Sequence, residues 1–133
     1  MGRERLPRLS LVGDAGMEYV AGMTRLEDLS LAMTHVGDAG LEHLSGLDRL
    51  RTLSLDGTPV TGAGLARLKG LPRLEWLCLE DRQLNVGGVE HLKGFPALTS
   101  LLVIGMDADS ARTAATRRAL PKVDLPLGAP QKP

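Results

Sequence analysis

The segment LSLAMTHVGDAGLEHLSGLDRL, residues 29–50, is answered 24 residues later by LSLDGTPVTGAGLARLKGLPRL, residues 53–74. Self-similarity at a fixed period decides an architecture before any local propensity does. The spacing runs along the chain. Leu26, Leu50, Leu74 and Leu98 are in step, as are Leu29, Leu53, Leu77 and Leu101, and then Leu31, Leu55, Leu79 and Val103. Further along come Val36, Val60 and Leu84, then Gly40, Gly64 and Gly88, then Leu44, Leu68 and Leu92. A first copy from Leu6 keeps the leucine spacing in LPRLSL but lacks the four residues that match Ala32 to His35.

Within a unit the period changes, and the change assigns structure. Leu-x-x-Leu-x-Leu ends in a period of two, which places one face of a short strand in a core. Leu41, Leu44 and Leu47 then have helical spacing, with Asp38, Thr61 and Asn85 expected as side-chain caps. Neither element can bury its leucines alone. Stacked copies can, because they close one ladder of aliphatic side chains between a parallel sheet and a row of helices.

Bulk composition agrees with one such core. The 133 residues suit a single domain, and with 43% hydrophobic but only 2% aromatic residues the interior must be aliphatic, mostly the 26 leucines. Sixteen basic and sixteen acidic residues cancel, so nucleic acid is a poor first choice of partner. No stretch approaches the roughly 18 uninterrupted apolar residues of a membrane span, and MGRERLPRLS has no apolar signal region. A single cysteine, Cys78, fits a reducing compartment, and a cytoplasmic location is expected. Twelve Arg against four Lys with a single Ile fit a GC-rich bacterial genome.

The pattern resembles the leucine-rich repeat family in its 24-residue bacterial form, LxxLxLxxTxVTDAGLxxLxGL. The matching residues are Leu26, Leu29, Leu31, Thr34, Val36, Asp38, Ala39, Gly40, Leu41, Leu44, Gly46 and Leu47, with their equivalents in the next two copies. The resemblance implies an α/β solenoid, a right-handed superhelix with a parallel sheet of about five to six strands and short helices on its convex side. Its units would be an imperfect repeat 6–25, full repeats 26–49, 50–73 and 74–97, and a partial repeat with cap 98–125, together a domain 1–125. A disordered tail 126–133 is expected from PLGAPQKP. Arg82 stands where Thr34 and Thr58 do, so a local irregularity is expected there.

In this family the concave sheet face is the usual binding surface. The residues that alternate with the buried leucines are Arg8 and Ser10; Asp28, Ser30, Ala32 and Met33; Thr52, Ser54 and Asp56; Trp76, Cys78, Glu80 and Asp81; and Ser100, Leu102 and Ile104. An exposed Trp76 surrounded by Asp28, Asp56, Glu80 and Asp81, with Ser54, Cys78 and Leu102 on the same face, reads as an aromatic anchor in an acidic surround for a protein or peptide, in particular a basic one. Cys78 is expected to be a free, partly exposed thiol of ordinary reactivity.

Catalysis and metal binding find little support. His43 and His91 share one helical slot two units apart, near 10 Å at about 4.8 Å per strand, whereas ligands of one zinc lie within about 4 Å of each other. Those histidines fall behind the core from Cys78, Ser30 and Ser54, so no nucleophile meets a base. No cofactor and no metal are expected. The sequence thus predicts a non-catalytic protein-interaction module or scaffold. The alternatives are the recognition part of a larger bacterial effector or ubiquitin-ligase-type adaptor, and an assembly subunit.

The two ends differ. At the C-terminus, Asp109 to Leu120 reads as an Ala-rich capping helix stopped by Pro121, with Val123 and Leu125 adding a last strand. At the N-terminus no amphipathic cap precedes Leu6. The expectation is that more protein precedes it or that the chain self-associates through this edge.

Overall fold

The computed structural model describes residues 4–5, 13–68, 71–85, 87–107 and 109–126. Five parallel strands lie side by side in chain order: β1 (Glu4–Arg5), β2 (Leu26–Ser30), β3 (Thr52–Ser54), β4 (Trp76–Glu80) and β5 (Ser100–Ile104). From β2 onward the register is an unbroken 24-residue step: Leu29 faces Leu53, Leu53 faces Leu77 and Leu77 faces Leu101. These leucines are at most 3% exposed and belong to one apolar cluster that runs from Met17 to Leu125. The result is an α/β arrangement of a parallel sheet and short helices.

The return segments are tighter than the leucine spacing suggested. Asp38–Leu44 and Gly62–Leu68 are 3-10 helices, and among the described residues only Met17–Ala21 (α1), Gly88–Leu92 (α2) and Ala111–Ala119 (α3) are α-helical. The leucine spacing is compatible with that geometry. Leucines exactly three apart eclipse on a helix of three residues per turn, so Leu41, Leu44 and Leu47 all reach the core at 0% exposure.

The expected caps act between units rather than within them. Asp38 accepts from the Thr61 N–H at 2.8 Å and from its hydroxyl at 2.6 Å, one unit on. Asp14 takes the Gly37 N–H in the same way at 2.7 Å, and Asn85 reaches back to the Gly62 N–H at 3.1 Å. This explains the glycine before the first helical leucine, in DAGL and in GAGL. A side chain at Gly64 would collide with the Asp38 carboxylate, and one at Gly40 with that of Asp14. The glycine leaves room for the carboxylate of the preceding unit.

The third full unit departs at Arg82, with its own solution. Thr34 and Thr58 each donate to the carbonyl three residues back, Leu31 and Leu55, at 2.7 Å. In their place the chain turns through a 3-10 helix, Asp81–Leu84, and buries Gln83. The Gln83 amide donates to the carbonyls of Leu55 and Thr58 at 2.9 and 3.1 Å and accepts from the Glu80 N–H at 2.7 Å. Arg82 points outward and donates to the Thr58 carbonyl and to Glu80.

Both ends differ from the leucine register. The strand expected on Leu6–Leu11 lies outside the described residues, and the described β1 is Glu4–Arg5, opposite Leu26 and Asp28, with a register shift between its two residues. Arg8 and Ser10 lie outside the described residues, as does the tail from 127. At the other end α3 is capped by Ser110, whose hydroxyl accepts from the Thr113 N–H at 3.1 Å. The expected last strand shrinks to a single bridge, Ser100 with Asp124. Asp124 donates to the Thr99 carbonyl and accepts from the Leu101 N–H. The next donor in this pattern would be residue 126, a proline without an N–H, so pairing stops.

Gly64→Ala is expected to cost about 1–3 kcal/mol by overpacking against Asp38, and Asp38→Ala a similar amount through its lost hydrogen bonds. Because the two groups occupy one space, the double variant should cost clearly less than the sum in urea denaturation. Strict additivity would show that the carboxylate does not set the requirement for glycine.

Candidate functional site

The strand register places side chains in rows across the outer sheet face. Asp28, Thr52, Trp76 and Ser100 form one row, and Ser30, Ser54, Cys78 and Leu102 the next. Asp56, Glu80 and Ile104 follow near the strand ends. The buried leucines alternate with them, because successive side chains of a strand point to opposite faces. The predicted binding residues Trp76, Asp28, Asp56, Glu80, Ser54 and Leu102 are brought together on this face.

Their environments differ from the expected open surround. Trp76 is half-buried rather than fully exposed. Cys78 is buried, at 4% exposure, and Ala32 at 7%, so neither is the surface group predicted. A small side chain in the middle of a row is covered by larger neighbours even when it points away from the core. Burial, and then the negative charge and hydrogen-bonding carboxylate of Asp56, push the Cys78 thiol up to about 12.

The acids are largely committed within the chain. Asp28 accepts from the Thr52 hydroxyl at 2.6 Å. Glu80 accepts from the Gly57 N–H at 2.6 Å and from Arg82 at 3.0 Å. Asp81 leaves the sheet face. It opens the 3-10 helix and receives Arg112 of α3 on its carboxylate at 3.2 Å and on its carbonyl at 2.7 Å. Its role is to hold the C-terminal helix against the stack.

Met33 lies at the rim of the face. It is 56% exposed and has φ 63°, the left-handed conformation that Gly57 and Gly105 adopt at the same place in their units. A side chain at Gly57 would meet the Met33 sulfur, so the thioether lies over that glycine. Tyr19 is 83% exposed on α1 and was not singled out by the sequence, since helical spacing alone does not distinguish an outward aromatic from an outward polar residue.

Cys78 faces a carboxylate that disfavours its thiolate, and His43 and His91 lie on the helical segments, away from it. Among the described residues there is no group of three or more His, Cys, Asp or Glu placed to hold a metal ion. Nor is any described helix long and apolar enough to cross a membrane.

No family model matches the chain, and no curated protein matches it. Among solved structures it is similar to leiomodin-1 actin-binding site 2, with a TM-score of 0.60 and 18% sequence identity over 82% of this chain and 70% of that one. At this identity the likeness concerns the fold alone.

Two outcomes are expected. The folded state favours the protonated Cys78 thiol, so the stability this group contributes is fully present below about pH 9 and is lost as pH rises toward about 12. Alkylation of native protein at pH 8 should therefore be far slower than after denaturation, and fast native labelling would contradict the burial. Met33→Gly should raise stability by about 1 kcal/mol through relief of the left-handed conformation, measured by urea denaturation.

Proposed function

We propose that this chain is a non-catalytic protein-interaction module of the leucine-rich repeat type, holding a partner polypeptide on the outer face of its parallel sheet. The observation that carries the reading is the row Asp28, Thr52, Trp76 and Ser100, with the chain's single tryptophan between two hydroxyl residues and a carboxylate at one end. A half-buried indole gives a partner a rigid apolar surface at small entropic cost, which is why tryptophan is enriched among residues that dominate interfaces.

The chemistry of the partner follows from the charges. Asp28, Asp56 and Glu80 lie on the face, and Arg82 at its edge is the described cation that answers Glu80. The balance is negative, which favours a segment with a cationic side chain next to an apolar one. Rigid stacking limits the conformational entropy lost on docking. The similar solved structure carries actin binding in its name, which supports the idea that this architecture can serve a protein contact.

The test uses the tryptophan twice. Partner binding should shift the emission of Trp76, the only indole in the chain. Trp76→Ala should weaken the measured Kd of a captured partner by about 30-fold and leave the melting temperature close to that of wild type. An unchanged Kd would move the binding surface elsewhere.

A further inference from the structure

Arg25, Arg49 and Arg73 stand at one place in three consecutive units, each directly before a fully buried leucine, Leu26, Leu50 and Leu74. Two residues further on, the Arg51 N–H donates to the Glu27 carbonyl and the Glu75 N–H to the Arg51 carbonyl, both at 2.8 Å, which keeps the units in step. The three arginines therefore form a row along the edge where the strands begin, with about 4.8 Å between rungs. All three are exposed, and among the described residues none takes part in an ion pair or a side-chain hydrogen bond.

Several other described cations are answered, although Arg117, Arg118 and Lys122 at the C-terminal end are not. In the neighbouring row the signs alternate, with Arg51 3.8 Å from Glu27 and 3.3 Å from Glu75. Arg67 pairs with Glu42 across units, and Arg112 pairs with Asp81. Like charges on adjacent strands repel, yet this row repeats one sign on three successive rungs. Past Ala97, where the row ends, a groove of about 300 Å³ lined by Phe95, Pro96, Leu120 and Val123 adds Lys122 at its border.

We infer that the Arg25, Arg49 and Arg73 row is a docking site for an acidic helical segment of a protein, on a surface separate from the sheet face. The match is geometric as well as electrostatic. Acidic residues three or four apart on a helix have Cβ atoms about 5–6 Å from one another, close to the spacing of the rungs. Each guanidinium can donate two parallel N–H bonds to a carboxylate. A nucleic-acid strand also offers anions. However, Asp48 adjoins Arg49, Glu27 and Glu75 flank the row, and the chain's sixteen basic and sixteen acidic residues leave no net field to draw in a polyanion.

The probe is a fluorescein-labelled, alanine-based helical peptide with glutamate at every fourth position, titrated with the full chain by fluorescence anisotropy at low salt. Arg25→Gln, Arg49→Gln and Arg73→Gln together should weaken binding about tenfold, and Arg49→Gln alone by a smaller factor that keeps the test open if the triple variant folds poorly. Arg117→Gln with Arg118→Gln, exposed arginines on α3, should leave binding unchanged, as should Trp76→Ala, which separates this site from the sheet face. The inference is overturned if the triple variant binds as well as wild type, if a glutamine version of the peptide binds equally, if the α3 variant loses as much, or if a single-stranded RNA of similar length binds more tightly.

Discussion

No unit of this chain can bury its own leucines. A strand of three to five residues and a helical turn of five to seven offer one apolar edge each, and that edge finds cover only on the unit before and the unit after. In-register stacking is therefore the constraint from which the rest follows. Leu29, Leu53, Leu77 and Leu101 meet in one line, and a shift by one residue in any strand would turn a leucine outward and a face residue such as Thr52 inward. The polar groups around the core reinforce the same register. Asp14, Asp38 and Asn85 each reach an adjacent unit, and Arg51 lies between two glutamates of its neighbours.

Such a register leaves the backbone at the turns with donors and acceptors that must be answered in a tight space. Two units answer with a threonine hydroxyl and the third with the longer Gln83 amide, which reaches two carbonyls of the preceding unit and closes the gap left by an outward Arg82. The departure keeps the step intact because β4 and β5 remain in register over five residues on either side of it. Where no such substitute exists the step fails. Among the described residues β1 pairs only through Glu4 and Arg5 with a shift in register, and at the far end Pro126 withholds the donor that would follow Asp124.

Most of the sheet was legible in the sequence, since a period of two within a period of 24 leaves little freedom for strands β2 to β5. The helical segments were legible in place but not in kind, because leucines three apart fit a 3-10 helix and a short α-helix equally well until the depth of the core is known. The caps were misassigned for a related reason: local sequence rules pair a side chain with its own helix, and Asp38 instead serves Thr61, 23 residues away. Alternation placed Asp28, Thr52, Ser54, Trp76 and Leu102 in rows on one side of the sheet, but alternation gives direction and not depth. Cys78 points away from the core and is still buried among larger side chains, and Asp81, one residue past the strand, has left the face altogether.

Repetition also acts on charge. A residue chosen once in a unit becomes a line when units are stacked, and the line is either self-neutralising or not. The Glu27, Arg51 and Glu75 row alternates and closes on itself, and such pairs fix neighbours in place at little net energy because they are exposed. The sheet face gathers carboxylates around a tryptophan, and those acids are partly bound to donors of the chain, so a partner there must offer apolar contact with Trp76 as well as charge. The row of Arg25, Arg49 and Arg73 has no such internal answer among the described residues. Two surfaces of opposite sign thus arise from one rigid stack, and because both are anchored to buried leucines, neither has to reorganise the core to meet a partner.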